Sequence, residues 1–128
     1  MEYYFSTIVK EDFATVIAKT TDALKKEGFG VITTIDMQHT LKEKLGVEFK
    51  KYTILGACNP GFAHKALQVE DKIGTMLPCN VLIIDKENGS TEVAAVHPLA
   101  SMMAIGNNAL QPLATEITGK LKRVIDSL

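Results

Sequence analysis

Residues 80–85 read Asn-Val-Leu-Ile-Ile-Asp, a run that leaves little freedom to the rest of the chain. Side chains alternate across a strand, so Val81 and Ile83 share one face while Leu82 and Ile84 share the other. Both faces are apolar. A strand of this kind is covered on both sides, by helices, by a partner subunit, or by one of each. The remaining sequence has to supply neighbouring strands and a helical layer for at least one face.

It does so in a regular order. Residues 3–9 read as a first strand. Phe13, Val16, Ile17, Thr20 and Leu24 then recur at helical spacing, which predicts a helix over 11–27 with one apolar stripe. Glu11 and Asp12 fall in its first turn, Lys25 and Lys26 in its last, and Gly28 just beyond, matching the helix dipole and a glycine C-terminal cap. Residues 29–35 are a second strand. Asp36 offers an N-cap for a short helix carrying Met37, Leu41 and Leu45, closed by Gly46. Residues 52–58 form a third strand, after which Asn59 and Pro60 suit the N-cap and first position of another helix. Asn88-Gly89 predicts a two-residue hairpin turn, so 91–96 return antiparallel to 80–85. Pro98 opens a short segment with Met102 and Met103. Leu110, Leu113, Ile117, Leu121, Val124 and Leu128 stripe a final long helix.

The layered solution is α+β: one antiparallel-dominated sheet of about five strands, backed by two long helices, with short helices inserted. A length of 128 residues makes this a single domain over 1–128. The net charge is −1 and the lysines are scattered among acidic residues, so no basic face is expected to neutralise phosphates. Nucleic acid is therefore not an expected partner. No stretch approaches the about 20 apolar residues of a membrane span. Met1-Glu2-Tyr3-Tyr4 lacks the basic start and apolar run of a signal peptide, which points to the cytoplasm, where thiols stay reduced.

The two cysteines mark the candidate site. Ala57-Cys58-Asn59-Pro60 ends the third strand and Pro78-Cys79-Asn80 opens the fourth. Cys58 precedes a helix N-terminus, whose unpaired N–H groups favour a thiolate or a bound anion. Strand ends that meet would bring Cys58, Asn59, Cys79 and Asn80 to one apolar pocket. His64, one helical turn beyond Pro60, could reach Cys58 as the base of a thiol catalyst. The plain alternative makes both cysteines inert core residues and both asparagines caps or loop ties. Cys58, His64, Cys79 and His97 would together make a zinc-like donor set. Neither cysteine, however, has a second ligand two to four residues away, and the two-residue turn sets Asn80 opposite His97 and Cys79 opposite Pro98. No metal is assigned, and the sequence specifies no cofactor.

Several segments resemble the core of domain-of-unknown-function family 302: Gly56 through Pro60, Ala63-His64-Lys65-Ala66-Leu67, Gly74, and Leu77-Pro78-Cys79-Asn80. Gly28-Phe29-Gly30-Val31 and Leu41 through Gly46 look like its upstream part. The resemblance spans nearly the whole chain. It implies a TATA-box-binding-protein-like fold and a homodimer, and it lends no reaction. The functional expectation is a dimeric small-ligand-binding domain with its pocket at the two Cys-Asn motifs. Two rivals stand beside it, a thiol-dependent or redox protein using Cys58 and Cys79, and a purely structural dimerisation module.

Overall fold

A computed structural model describes residues 2–128. Its strands are β1 (Tyr4–Val9), β2 (Gly30–Asp36), β3 (Tyr52–Cys58), β4 (Cys79–Asp85) and β5 (Thr91–Val96). Its helices are α1 (Phe13–Lys26), α2 (Met37–Leu45), α3 (Pro60–Val69), α4 (Pro98–Met102) and α5 (Leu110–Asp126), with short 3-10 turns after α3 and α4. The strands form one sheet in the order β1-β5-β4-β3-β2, every neighbouring pair antiparallel. The α+β architecture is the expected one.

Period-two alternation divides the sheet into unlike faces. Val9, Leu55, Ala57, Cys79, Val81, Ile83, Val93 and Ala95 are buried on the face that α1 and α5 cover. Against them lie Val16, Thr20 and Leu24 of α1, and Leu110, Ala114, Ile117, Leu121 and Val124 of α5. Those stripes follow the spacing read from the sequence. Arg123 of α5 ties the two helices at one end, donating from Nε to Glu27 Oε1 at 3.0 Å.

Two local readings need correction. The first helix starts at Phe13 rather than near Glu11, because Asp12 is extended and acts as N-cap. Its Oδ1 accepts from the Thr15 N–H at 2.8 Å, and that bond holds the carboxyl below the usual carboxylate range. The hairpin between β4 and β5 is also longer than predicted. Lys86 N–H bonds the Ser90 carbonyl, leaving Glu87, Asn88 and Gly89 in the loop. Glu87 takes a left-handed φ of 60°, and Asn88 Oδ1 accepts from Ser90 N–H at 3.2 Å. One extra residue slides the pairing by one, so Asp85 faces Thr91 and Val81 faces Ala95.

The two long helices leave the other face of the sheet uncovered, and α2 packs against β2 and β3. Ser6, Ala94, Leu82, Ile54 and Ile35 stand in one row across all five strands by the pairing register. Beside this face α2 buries none of its residues, and Leu45, Val47 and Phe49 are exposed, Leu45 by 69 %. The two-faced strand β4 is thus covered by helices on one side only. Among the described residues, no helix is long and apolar enough to cross a membrane.

One residue of α1 is packed at a cost. Thr20 is fully buried, and among the described residues its Oγ1 has no hydrogen-bond partner. A buried hydroxyl without a partner costs about 1–3 kcal/mol. Thr20→Val keeps the shape and removes that oxygen, so the variant should be about 1 kcal/mol more stable, a rise of several degrees in Tm. Urea and thermal unfolding measure it, and an unchanged or lower midpoint would mean that the hydroxyl is satisfied.

Candidate functional site

The site forms where β3 runs out and β4 begins. Asn59 follows β3 and caps α3, its Oδ1 accepting from the Phe62 N–H at 3.1 Å, with Pro60 in the first helical position. Across the ladder Ala57 pairs with Cys79. Cys79 therefore points with Ala57 and Leu55 toward the helices and is only 4 % exposed. Cys58, one residue further on, leaves the strand on the opposite side and is half-buried. Both nonetheless line one hollow of about 250 Å³ at the strand end. Ile32, Phe62, Leu77 and Pro78 supply most of its remaining wall.

The electrostatics of this hollow are simple. No charged side chain is among the residues that line it. Asn59, the one amide there, has its oxygen engaged by the cap. Burial pushes the Cys79 thiol from its usual 9.0 up to about 12, and the neighbouring Cys58 adds to the rise. Cys79 is thus a neutral S–H group at any physiological pH.

The structure gathers three of the five expected site residues and leaves two outside. Cys58, Asn59 and Cys79 meet at the hollow. Asn80 does not, because it pairs with Gly56 on the open face and is exposed there, one residue away from Cys79 and hence on the other side. His64 lies on the exposed side of α3, while Phe62 and Ala63 form the wall. His97 is occupied elsewhere: its Nδ1 accepts from the Ala100 N–H at 3.3 Å, and its ring stacks on Phe5 at 4.6 Å. Among the described residues, no three His, Cys, Asp or Glu side chains converge as metal ligands.

Sequence reasoning missed Ile32, Phe62, Leu77 and Pro78 as wall residues. Ile32 reaches the hollow where the β2–β3 register slips between Val31 and Thr33, and its side chain is 62 % exposed. That irregularity has no sequence marker. Phe62 was within reach, since position N3 of a capped helix faces back over the strand end that feeds it.

Gly56 holds the arrangement together. A Cβ there would lie 2.2 Å from Thr33 Oγ1 and 2.8 Å from Pro78 Cγ, so only glycine lets β2 and the start of β4 close over β3. Gly56→Ala should cost about 2 kcal/mol or more by overpacking. Adding Thr33→Ala should recover part of that loss and not all, since Pro78 still crowds the site. Equilibrium unfolding of the single and double variants reads this out, and full recovery would show that Pro78 gives way freely.

The Cys79 thiol also predicts a pH dependence. Below about pH 9 folded and unfolded chains both carry the proton, and stability is complete. Between about 9 and 12 the unfolded thiol has ionised while the folded one has not, so stability falls by about 1.4 kcal/mol per pH unit. Unfolding free energies compared between the native chain and Cys79→Ala across that range isolate this slope from the tyrosines and lysines. A difference that stays flat with pH would disprove it.

Comparison with known proteins agrees with this fold. Residues 5–128 match the family described as Domain of unknown function DUF302. The crystal structure of an uncharacterized conserved DUF302 protein from Bacillus stearothermophilus is 28 % identical, covers 98 % of both chains, and superposes with a TM-score of 0.90. An uncharacterized protein of Aquifex aeolicus (strain VF5) is 28 % identical over 67 residues, 52 % of this chain and 46 % of its own length. With a family match over nearly its whole length and one shared fold, this chain belongs to the DUF302 family.

Proposed function

We propose that the protein is a homodimeric binding domain for a small, neutral, apolar molecule held in the hollow that Cys58 and Cys79 line, in a compartment that keeps both thiols reduced. The observation that carries this reading is the lining itself, which apart from the capping Asn59 amide presents apolar and thiol side chains and no charged one. A charged or strongly polar ligand would lose its hydration there and gain no partner. Volume bounds the size. About 250 Å³ exceeds the roughly 150 Å³ of an apolar cavity that takes up benzene, and falls below the roughly 300 Å³ at which drug-sized pockets begin. One substituted ring fits those limits.

The dimer is supported by the uncovered sheet face. Tyr52, Ile54, Leu82, Ile84 and Ala94 form an apolar surface there, with a groove of about 360 Å³ lying over part of it. A two-fold axis through such a face would set it against its own copy, with the exposed apolar residues of α2 and its following loop at the rim. The thiol-catalyst reading receives less support, since the base assigned to it, His64, is absent from the hollow's wall. A purely structural dimer would share the sheet face and leave the hollow unused.

Light scattering should return twice the chain mass, and Leu82→Lys should return the single chain while keeping the far-ultraviolet dichroism of the fold. For the hollow, amide shifts on titration with cyclohexanone should concentrate at residues 57–63 and 77–79, and Ala63→Leu should abolish them. A monomer at all concentrations removes the first half of the proposal. Shifts that avoid those segments remove the second.

A further inference from the structure

An inert apolar guest would leave the thiols of the hollow without a role. Cys79 is free and 4 % exposed, and Cys58 is free and half-buried at the same wall. Three chemistries are open to such a pair. The first is a bond between the two sulfurs. Cys79 leaves β4 on the helix side with its partner Ala57, while Cys58 leaves β3 on the other side, and side chains that diverge in this way cannot be bridged without backbone movement. The second is a soft metal ion held between two thiolates. That needs further ligands, and among the described residues no three His, Cys, Asp or Glu side chains converge here.

The third uses one sulfur only. We propose that Cys58 captures small apolar carbon electrophiles, of the α,β-unsaturated carbonyl class, that dock in the hollow. This rests on reading the hollow as a ligand site and adds the class of ligand. The hollow takes a neutral, ring-sized molecule, and conjugated enones are neutral, flat and soft at carbon. Cys58 stands at its wall, half-buried and immediately before the N-cap of α3, so its sulfur borders the space a docked molecule would fill.

The step balances without an oxidant or a reductant. Cys58 gives its thiol proton to water, and a sulfur lone pair forms the new bond to the β-carbon. The π electrons of the alkene move onto the carbonyl as an enolate, which takes a proton from water at the α-carbon. The sum is addition of S–H across the double bond.

The test uses the whole native chain and 2-cyclohexen-1-one at neutral pH, followed by intact-mass and peptide mass spectrometry. One adduct per chain is expected, on Cys58 and absent from Cys58→Ser. Its rate should level off as reagent concentration rises, because docking precedes bond formation. At low concentration the rate should exceed that of glutathione by about tenfold or more. Ala63→Leu fills the hollow and should remove both the plateau and the advantage, while the hydrophilic alkylator iodoacetamide still labels Cys58 in that variant. A rate strictly proportional to concentration and equal to that of glutathione overturns the proposal, as does an adduct on Cys79. The saturated analogue cyclohexanone separates the two levels of the argument. If it binds at residues 57–63 and 77–79 while the enone reacts no faster than with glutathione, electrophile capture fails and the ligand site stands. If neither binds, both fall.

Discussion

The pairing of Ala57 with Cys79 decides how this molecule presents its chemistry. Strand side chains alternate, so one register settles at once that Cys79 joins the core and that Cys58 does not. Slipping the ladder by a single residue would exchange every assignment along β3 and β4. Cys79, Val81 and Ile83 would then meet the open side, and Leu82 and Ile84 would face α1 and α5. The helix-facing set is buried almost completely, with Val81 and Ile83 fully enclosed, which makes the alternative register expensive. Hydrophobic packing on one face thus fixes the position of a thiol on the other.

The same asymmetry separates stability from recognition. The α1 and α5 stripes cover one side of the sheet, and together with the strand residues beneath them they account for most of the buried apolar residues. The uncovered side and the mouth of the strand-end hollow are where apolar surface stays reachable. Fold and site overlap at Ala57, Phe62 and Cys79, which belong to the core and line the hollow. Substitutions at Leu24 or Leu121 bear on whether the chain folds, whereas those at Ala63 or Leu82 bear on what the folded chain meets.

Much of this was legible in the amino-acid order, and the failures have local causes. The long helices were readable because Val16, Thr20 and Leu24, and then Leu110, Ile117, Leu121 and Val124, keep a helical period that only a one-sided helix explains. The caps Asp36 and Asn59 were readable because short polar side chains satisfy the first free N–H groups. The hairpin was misjudged because Asn88-Gly89 favours a two-residue turn, while Glu87 adopts the left-handed conformation and Asn88 uses its side chain on Ser90. That one-residue error also placed His97 wrongly relative to Cys79. Asn80 was grouped with Cys79 because they adjoin in sequence, although adjacency in a strand places side chains on opposite faces. The walls built by Ile32 and Pro78 depend on a register slip and a close approach over Gly56, neither of which leaves a mark in composition or period.

Gly56 carries an implication for how distant events reach one another. Thr33 presses on it from the edge strand and Pro78 from the loop entering β4, each too near to admit even a methyl group. Pro78 is also a wall of the hollow, and Thr33 shares the open side with Ile54 and Leu82. The two surfaces are in effect opposite sides of one thin partition with no slack in it. A binding event on the sheet that displaced Thr33 or Pro78 would be felt at the strand end through Gly56, and thermodynamic reciprocity would make the influence equal in the reverse direction.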